Sequence, residues 1–210
     1  LLAALEEALA AGPVALTPAA LYGLGGIGKS QTALEYAWRH EARFNVTWWV
    51  RAEQQETLVS DLAELASTLK LSGPSETDIP AMAKSAIRWL ASNPGWLLIF
   101  DNATGETSVR DWFPGGPGAV IVTSRDGVWL GARSLEVDGL SEDDAIAFLT
   151  ARSGDADSES AGELARALDI LPLALEQAAA FILERHWKID RYLRLYTRSV
   201  RPSFSKPALP

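Results

Sequence analysis

One stretch limits what this chain can fold into more than any other. Gly23-Leu24-Gly25-Gly26-Ile27-Gly28-Lys29-Ser30 fits the phosphate-binding pattern G-x-x-x-x-G-K-[ST] at every fixed position. A tight glycine loop can aim successive backbone N–H groups at a polyphosphate, and glycines leave no Cβ in the way. Lys29 supplies a point charge able to reach β- and γ-phosphates, and the Ser30 hydroxyl can ligate Mg2+. The helix that begins there adds the positive end of its dipole. Gly23, Gly25, Gly26, Ile27, Gly28, Lys29, Ser30 and the adjoining Gln31 are therefore the candidate polyphosphate contacts. The flanks predict a strand–loop–helix unit. Ala19-Ala20-Leu21-Tyr22 reads as a short buried strand, and Ala33, Leu34, Ala37 and Trp38 recur on one predicted helix face. A Gly-rich turn without a ligand is the alternative, and the ordered context disfavours it.

At 210 residues the chain can form one large domain, or one domain with a small helical appendage. An apolar fraction of 48% and a charged fraction of 22% are those of a folded globular protein. A net charge of −8 argues against general nucleic-acid binding, because phosphate backbones reward basic surfaces. There is no cysteine, so disulfides and thiolate metal sites are excluded. Two histidines, His40 and His186, exclude a multi-histidine zinc site. No stretch approaches the roughly 18 apolar residues of a membrane span. Glu6 and Glu7 interrupt the first apolar run, which argues against a signal peptide and for a cytoplasmic protein. The abrupt beginning and end predict a piece of a longer chain.

Leu1 to Ala11 reads as an amphipathic helix stopped by Gly12-Pro13, with Leu2, Leu5 and Leu9 facing the domain that follows. Phe44 to Val50 is the second strand candidate. Helices are predicted from about Gln55 to Lys70, with Leu58, Leu62, Leu65 and Leu69 inward, and from about Ile79 to Ser92, separated by Ser72-Gly73-Pro74-Ser75. Trp96 to Asp101 is a continuous apolar run ending in a carboxylate, the pattern of a parallel strand buried on both faces. Ala119 to Thr123 reads the same way and runs into Ser124-Arg125; Ser134 to Val137 is a weaker strand. From Ser141 onward the pattern is purely helical. Ser141-Glu142-Asp143-Asp144 resembles a capping box with Asp in the Glu position, and Leu171-Pro172 starts a later helix. The expected fold is α/β of the P-loop NTPase kind: a mostly parallel five-stranded sheet flanked by helices over residues 1–138. A small all-helical subdomain over 139–200 and a loose tail over 201–210 follow.

Three further residues complete the predicted chemistry. A P-loop site needs a carboxylate at the end of a neighbouring strand to hold the metal, and Asp101 stands there. Asn102 follows, where many hydrolysing P-loop ATPases carry a second acid. Asn is no general base, so hydrolysis is expected to be slow, and Glu106 could substitute only if the intervening turn folds back. Arg125, at the carboxyl end of a buried strand, is placed to sense a γ-phosphate; the alternative is a surface arginine paired with Asp126 or Glu136. No N-K-x-D sequence follows a strand, which favours adenine over guanine. The eight Trp residues are expected mostly in cores rather than stacked on a base.

These pieces together resemble the NB-ARC nucleotide-binding domain of the STAND class of signalling ATPases. The resemblance is carried by Gly23 to Ser30, Trp48-Trp49-Val50-Arg51-Ala52, Trp96 to Asn102, Ile121 to Arg125, and above all Leu171-Pro172-Leu173-Ala174-Leu175, which looks like the family's G-L-P-L-A-L motif. It implies ADP or ATP with Mg2+ as ligands, Lys29 and Ser30 on phosphates and metal, Asp101 on the metal, and Arg125 as nucleotide sensor. Lys29, Asp101 and Arg125 would serve any hydrolysis, and Pro172 would contact the adenosine part from the helical subdomain. It further implies a switch that is ADP-bound at rest and ATP-bound when active, self-association of the full-length ATP form, and effector and sensor domains outside this stretch. Departures from the family pattern are Asp169-Ile170 where the motif's first glycine belongs, Asn102 for the second acid, and no M-H-D motif. The competing readings are an AAA+-type ATPase with steady turnover, and an oligomerisation scaffold with a vestigial pocket.

Overall fold

The computed structural model describes residues 1–9, 19–71, 77–129 and 132–200. The expected breaks at Gly12-Pro13 and 72–75 and the expected tail lie outside them. The chain begins with α1 (Leu2–Leu9), β1 (Ala19–Tyr22), α2 (Lys29–Arg39), a 3-10 turn and β2 (Val46–Arg51). It continues through α3 (Gln55–Thr68), α4 (Ile79–Ser92), β3 (Trp96–Ala103), α5 (Glu106–Val109), a second 3-10 turn, β4 (Ala119–Ser124) and β5 (Arg133–Glu136). The five strands form one sheet in the order β2-β3-β4-β1-β5, and every neighbouring pair is parallel.

The continuous apolar strands divide their side chains between two layers by the two-residue period of a strand. Leu98, Phe100, Val120, Val122 and Ala20 face α3 and α4, where Leu58, Leu62, Leu65, Met82, Ala86 and Leu90 complete one core. Leu97, Ile99, Ile121, Ala19 and Leu21 face α1 and α2, meeting Leu5, Ala8, Ala33, Tyr36 and Ala37. The first helix therefore does pack on the sheet, as expected from Leu2, Leu5 and Leu9. The face assigned to α2 is corrected: Leu34 and Trp38 are 50% and 68% exposed, and the sheet takes Ala33, Tyr36 and Ala37 instead. Ala33 and Ala37 are shared by both faces. Rotating the stripe to Tyr36 also lets its ring stack on His40 at a centroid distance of 4.2 Å. Of the tryptophans, Trp96 and Trp129 are buried and Trp38 is not.

The all-helical remainder contains α6 (Glu142–Ser153), α7 (Ser158–Ala167), α8 (Pro172–Glu184) and α9 (Ile189–Val200). Its core, built on Ala145, Leu149, Leu164, Leu168, Leu175, Ala178, Ile182 and Ile189, shares no residue with the two sheet cores. The chain accordingly separates into two compact units, Leu1–Val137 and the part from Asp138 onward. Ser141 caps α6 by accepting from Asp144 N at 3.1 Å while its hydroxyl donates to the Asp144 carboxylate at 2.6 Å. Pro172 occupies the first turn of α8, where its missing N–H costs nothing. Asp155 fastens α9, accepting from Ile189 N at 2.9 Å and from Lys188 Nζ at 3.1 Å.

Candidate functional site

β1 ends at Tyr22 and the chain turns through Gly23 to Gly28 before α2 starts at Lys29. Two positions in this turn need glycine for separate reasons. Gly28, the residue before the helix, has φ +105, a region L side chains rarely adopt. A Cβ on Gly23, itself at φ +147, would sit 3.0 Å from the Val137 carbonyl oxygen. No side chain caps the start of α2. Its first amides are thus left for another acceptor, and the helix dipole favours an anion there.

Lys29 is only 8% exposed, and its ammonium donates to the carbonyls of Gly23 and Leu24, both at 2.8 Å. The lysine thereby ties the loop to the helix it opens. Burial holds its pKa below the ordinary lysine value; the Arg125 guanidinium pushes it further down, and Asp101 opposes both. Arg125 and Asp101 thus both stand close enough to act on the charge of Lys29.

Ser30 Oγ donates to Asp101 Oδ1 at 2.6 Å, joining the start of α2 to the end of β3. Thr123 Oγ1 donates to the same carboxylate oxygen, also at 2.6 Å, and accepts from Asn102 N at 2.8 Å. The β3–β4 register slips here: Phe100 pairs Val122 and Ala103 pairs Ser124, so Asp101 and Asn102 together oppose Thr123. This is a β-bulge, a device that re-aims side chains at strand ends. Asn102 takes up the extra residue at φ +61, a conformation Asn tolerates better than most residues.

Arg125 follows β4 and is exposed, and its guanidinium lies over the glycine loop. A Cβ on Gly25 would meet Arg125 Nη2 at 3.7 Å and Nε at 3.8 Å. The expected alternative, pairing with Asp126 or Glu136, does not occur: among the described residues no carboxylate is within ion-pair distance of Arg125. Asp126 Oδ1 accepts from Val128 N and Glu136 accepts from Tyr22 OH. A cleft of about 440 Å³ opens beside these residues, lined by Glu53, Asn102, Ala103, Thr104, Ser124, Arg125 and Asp126. Glu106 starts α5 and is ion-paired with Arg110. Gln31 is exposed on the first turn of α2. The structure thus brings Gly23, Gly25, Lys29, Ser30, Asp101 and Arg125 together; Pro172 belongs to the second unit, at the start of α8. Sequence reasoning missed Thr123. The available signal was a hydroxyl residue in an otherwise apolar buried strand, one step before Arg125.

The oxygen pair Ser30–Asp101 suits a hard divalent cation. Mg2+ keeps most of its waters and takes one or two protein oxygens together with phosphate oxygens. No group of three or more His, Cys, Asp or Glu that could hold a metal ion gathers among the described residues. No helix among them is long and apolar enough to cross a membrane.

No family model matches the chain. It is similar to a nucleotide-binding leucine-rich repeat (NLR)-like protein of the fungus Hyaloscypha variabilis, 27% identical over 209 residues that cover 86% of this chain and 21% of that protein. The regulatory protein AfsR of Streptomyces coelicolor is 28% identical over 190 residues, covering 81% of this chain and 18% of AfsR. With these relatives beside the ordered motifs and the parallel sheet, the resemblance holds. The chain has the fold of a P-loop NTPase and resembles the NB-ARC/STAND type. The chain spans about a fifth of the length of those two relatives. Its fold is that of Cdc6p from Pyrobaculum aerophilum, with TM-score 0.62, 12% identity and coverage of 93% of this chain and 64% of that one. The Orc1 protein of Aeropyrum pernix, solved in complex with DNA, has TM-score 0.51, 18% identity and coverage of 95% and 64%.

Proposed function

We propose that this domain is an adenine-nucleotide switch, ADP-bound at rest and ATP-bound when active, in which hydrolysis is slow or waits for a partner. The observation that carries the reading is the convergence of four side chains on one glycine loop. Lys29 and Ser30 leave the start of α2, Asp101 reaches Ser30, and the Arg125 guanidinium covers Gly25. Lys29 and the amides of Gly25 to Ser30 would bind phosphate oxygens. Ser30 and Asp101 would hold Mg2+, which neutralises phosphate charge when bound. Arg125 would distinguish the extra charge of ATP from ADP.

Slow turnover is supported by Asn102. It occupies the second-acid position without a proton-accepting group, and its left-handed backbone is built into the bulge. Glu106, the other acid considered, is engaged with Arg110. The absence of N-K-x-D in the sequence supports adenine. The DNA in the Aeropyrum structure belongs to that protein; a net charge of −8 speaks against a general nucleic-acid surface here. Self-association in the ATP state, effector and sensor domains elsewhere in the full-length protein, and a cytoplasmic location complete the reading.

Isothermal titration with ADP tests it. Wild-type protein is expected to bind ADP with Mg2+ present, and Lys29→Ala to lose that binding. Unchanged ADP affinity in Lys29→Ala would remove the basis for the site. Mass spectrometry of nucleotide released on denaturing purified protein gives a second check: ADP is expected, and no nucleotide would favour a scaffold with a vestigial pocket. Turnover of several ATP per second, abolished by Asp101→Ala, would favour an ATPase of steady activity instead.

A further inference from the structure

We infer that Thr123 is a positioning residue for the metal carboxylate, the link that lets a strand two places away from the glycine loop serve it. The inference rests on the nucleotide reading above. In the sheet, β4 lies between β1, which carries the loop, and β3, which carries Asp101. Asp101 must therefore reach across the end of β4 to meet Ser30, and Thr123 stands in that gap, opposite both Asp101 and Asn102 in the bulge.

Its hydroxyl both donates and accepts in this arrangement. The single proton goes to Asp101 Oδ1 at 2.6 Å, and a lone pair accepts the Asn102 amide at 2.8 Å. Thr123 is 1% exposed, so water does not replace either bond readily. The next residue reinforces the junction: Ser124 Oγ donates to Ala103 O at 2.7 Å and accepts from Asp126 N at 3.0 Å. The carboxylate on β3 and the chain leading into Arg125 are thus stapled to one another by adjacent hydroxyls.

The consequence concerns Ser30. Its hydroxyl and that of Thr123 both donate to Asp101 Oδ1. When Ser30 turns its oxygen to a cation, Thr123 is, among the described residues, the remaining side chain that hydrogen-bonds the carboxylate and fixes its direction. Without it, Asp101 must be oriented at the moment of metal binding, and the gain that Mg2+ adds to nucleotide affinity falls.

The experiment measures ADP affinity by titration calorimetry in Mg2+ and in EDTA, for wild type, Thr123→Val and Thr123→Ser. Valine keeps the branched shape and removes the hydroxyl; serine keeps the hydroxyl. The expected result is that Thr123→Val loses about tenfold of the Mg2+-dependent gain while its affinity in EDTA stays at the wild-type value, and that Thr123→Ser keeps the gain. A residue that only fills the strand would change neither value. A full gain in Thr123→Val overturns the inference, as does a loss in Thr123→Ser equal to that in Thr123→Val. Wild-type protein that binds ADP without any gain from Mg2+ overturns it as well. Wild type that binds no ADP at all brings down the nucleotide reading itself, a distinguishable result. Should Thr123→Val fail to fold, Thr123→Cys, with its weaker donor, is held to the same criteria.

Discussion

Arg125 is the residue whose role depends most on where its side chain goes. On the sequence it could have been a surface arginine with an acidic neighbour; the backbone puts its guanidinium over Gly25 and leaves Asp126 and Glu136 to other partners. If it reads the γ-phosphate, Arg125→Ala should weaken ATP binding about tenfold and change ADP binding little, measured by paired titrations with the two nucleotides. Equal losses for both would make it a general phosphate contact. Lys29 and Ser30 were read from the spacing of the glycine loop and Asp101 from the apolar run that it ends, and the structure brings Ser30 and Asp101 into contact. Thr123 and the bulge at Asn102 were not legible. A register slip depends on which strand lies beside β3, and strand order is a property of the sheet rather than of any local run. The same cause misplaced Leu34 and Trp38: helical spacing identifies a stripe, but the sheet decides which of two overlapping stripes it covers.

At the scale of elements, helix and strand types followed from periodicity, while the ways elements end did not. Three helices close with a left-handed residue that is not glycine: Lys70 after α3, Asp169 and Ile170 after α7, and His186 after α8. Each ending has the amide pattern of a Schellman turn, with Leu71 N on Ala66 O, Ile170 N on Ala165 O and Trp187 N on Ile182 O. The resemblance puts the motif's first glycine at Asp169-Ile170, and both residues stand at φ +53, so the altered turn keeps a left-handed backbone and accepts its strain. Exposed Lys70 offers the clean test: Lys70→Gly should stabilise the protein by about 1 kcal/mol in denaturant unfolding. A second element-scale prediction concerns the clamp between β2 and α3. Asp61 accepts from Arg51 N at 2.8 Å and from its guanidinium at 2.6 and 3.0 Å. Burial works to raise the Asp61 pKa, but the hydrogen bonds and charge of Arg51 outweigh it and the net shift is downward. A depressed carboxylate contributes its stability above the unfolded value of about 3.9 and loses it as pH falls through the folded value. Asp61→Asn should therefore be less stable than wild type at pH 7, with the difference shrinking below about pH 4 in urea melts at several pH values.

At the scale of the whole molecule, separate cores predict separable unfolding. No residue is shared between the sheet cores and the helical core, so each unit can melt with its own transition in calorimetry. A ligand stabilises only what it binds, by about 2.7 kcal/mol at a hundredfold excess over its dissociation constant. For a unit the size of Leu1–Val137 that corresponds to an upward shift of about 9 °C. The nucleotide reading gives this arithmetic two outcomes. If phosphates and metal alone are held, ADP with Mg2+ should raise the first transition and leave the second unchanged. If Pro172 also touches the adenosine, as the L-P-L-A-L resemblance implies, both transitions should rise, and Pro172→Ala should remove the rise of the second while sparing the first. Proline at the first turn of α8 donates no hydrogen bond, so its replacement by alanine leaves the helix start intact and the comparison clean. A second transition that rises in both wild type and Pro172→Ala would mean that the helical unit responds to nucleotide through some residue other than this proline. A transition that stays put in both would confine the switch to the sheet unit, and the helical unit would then need another partner to report the bound state.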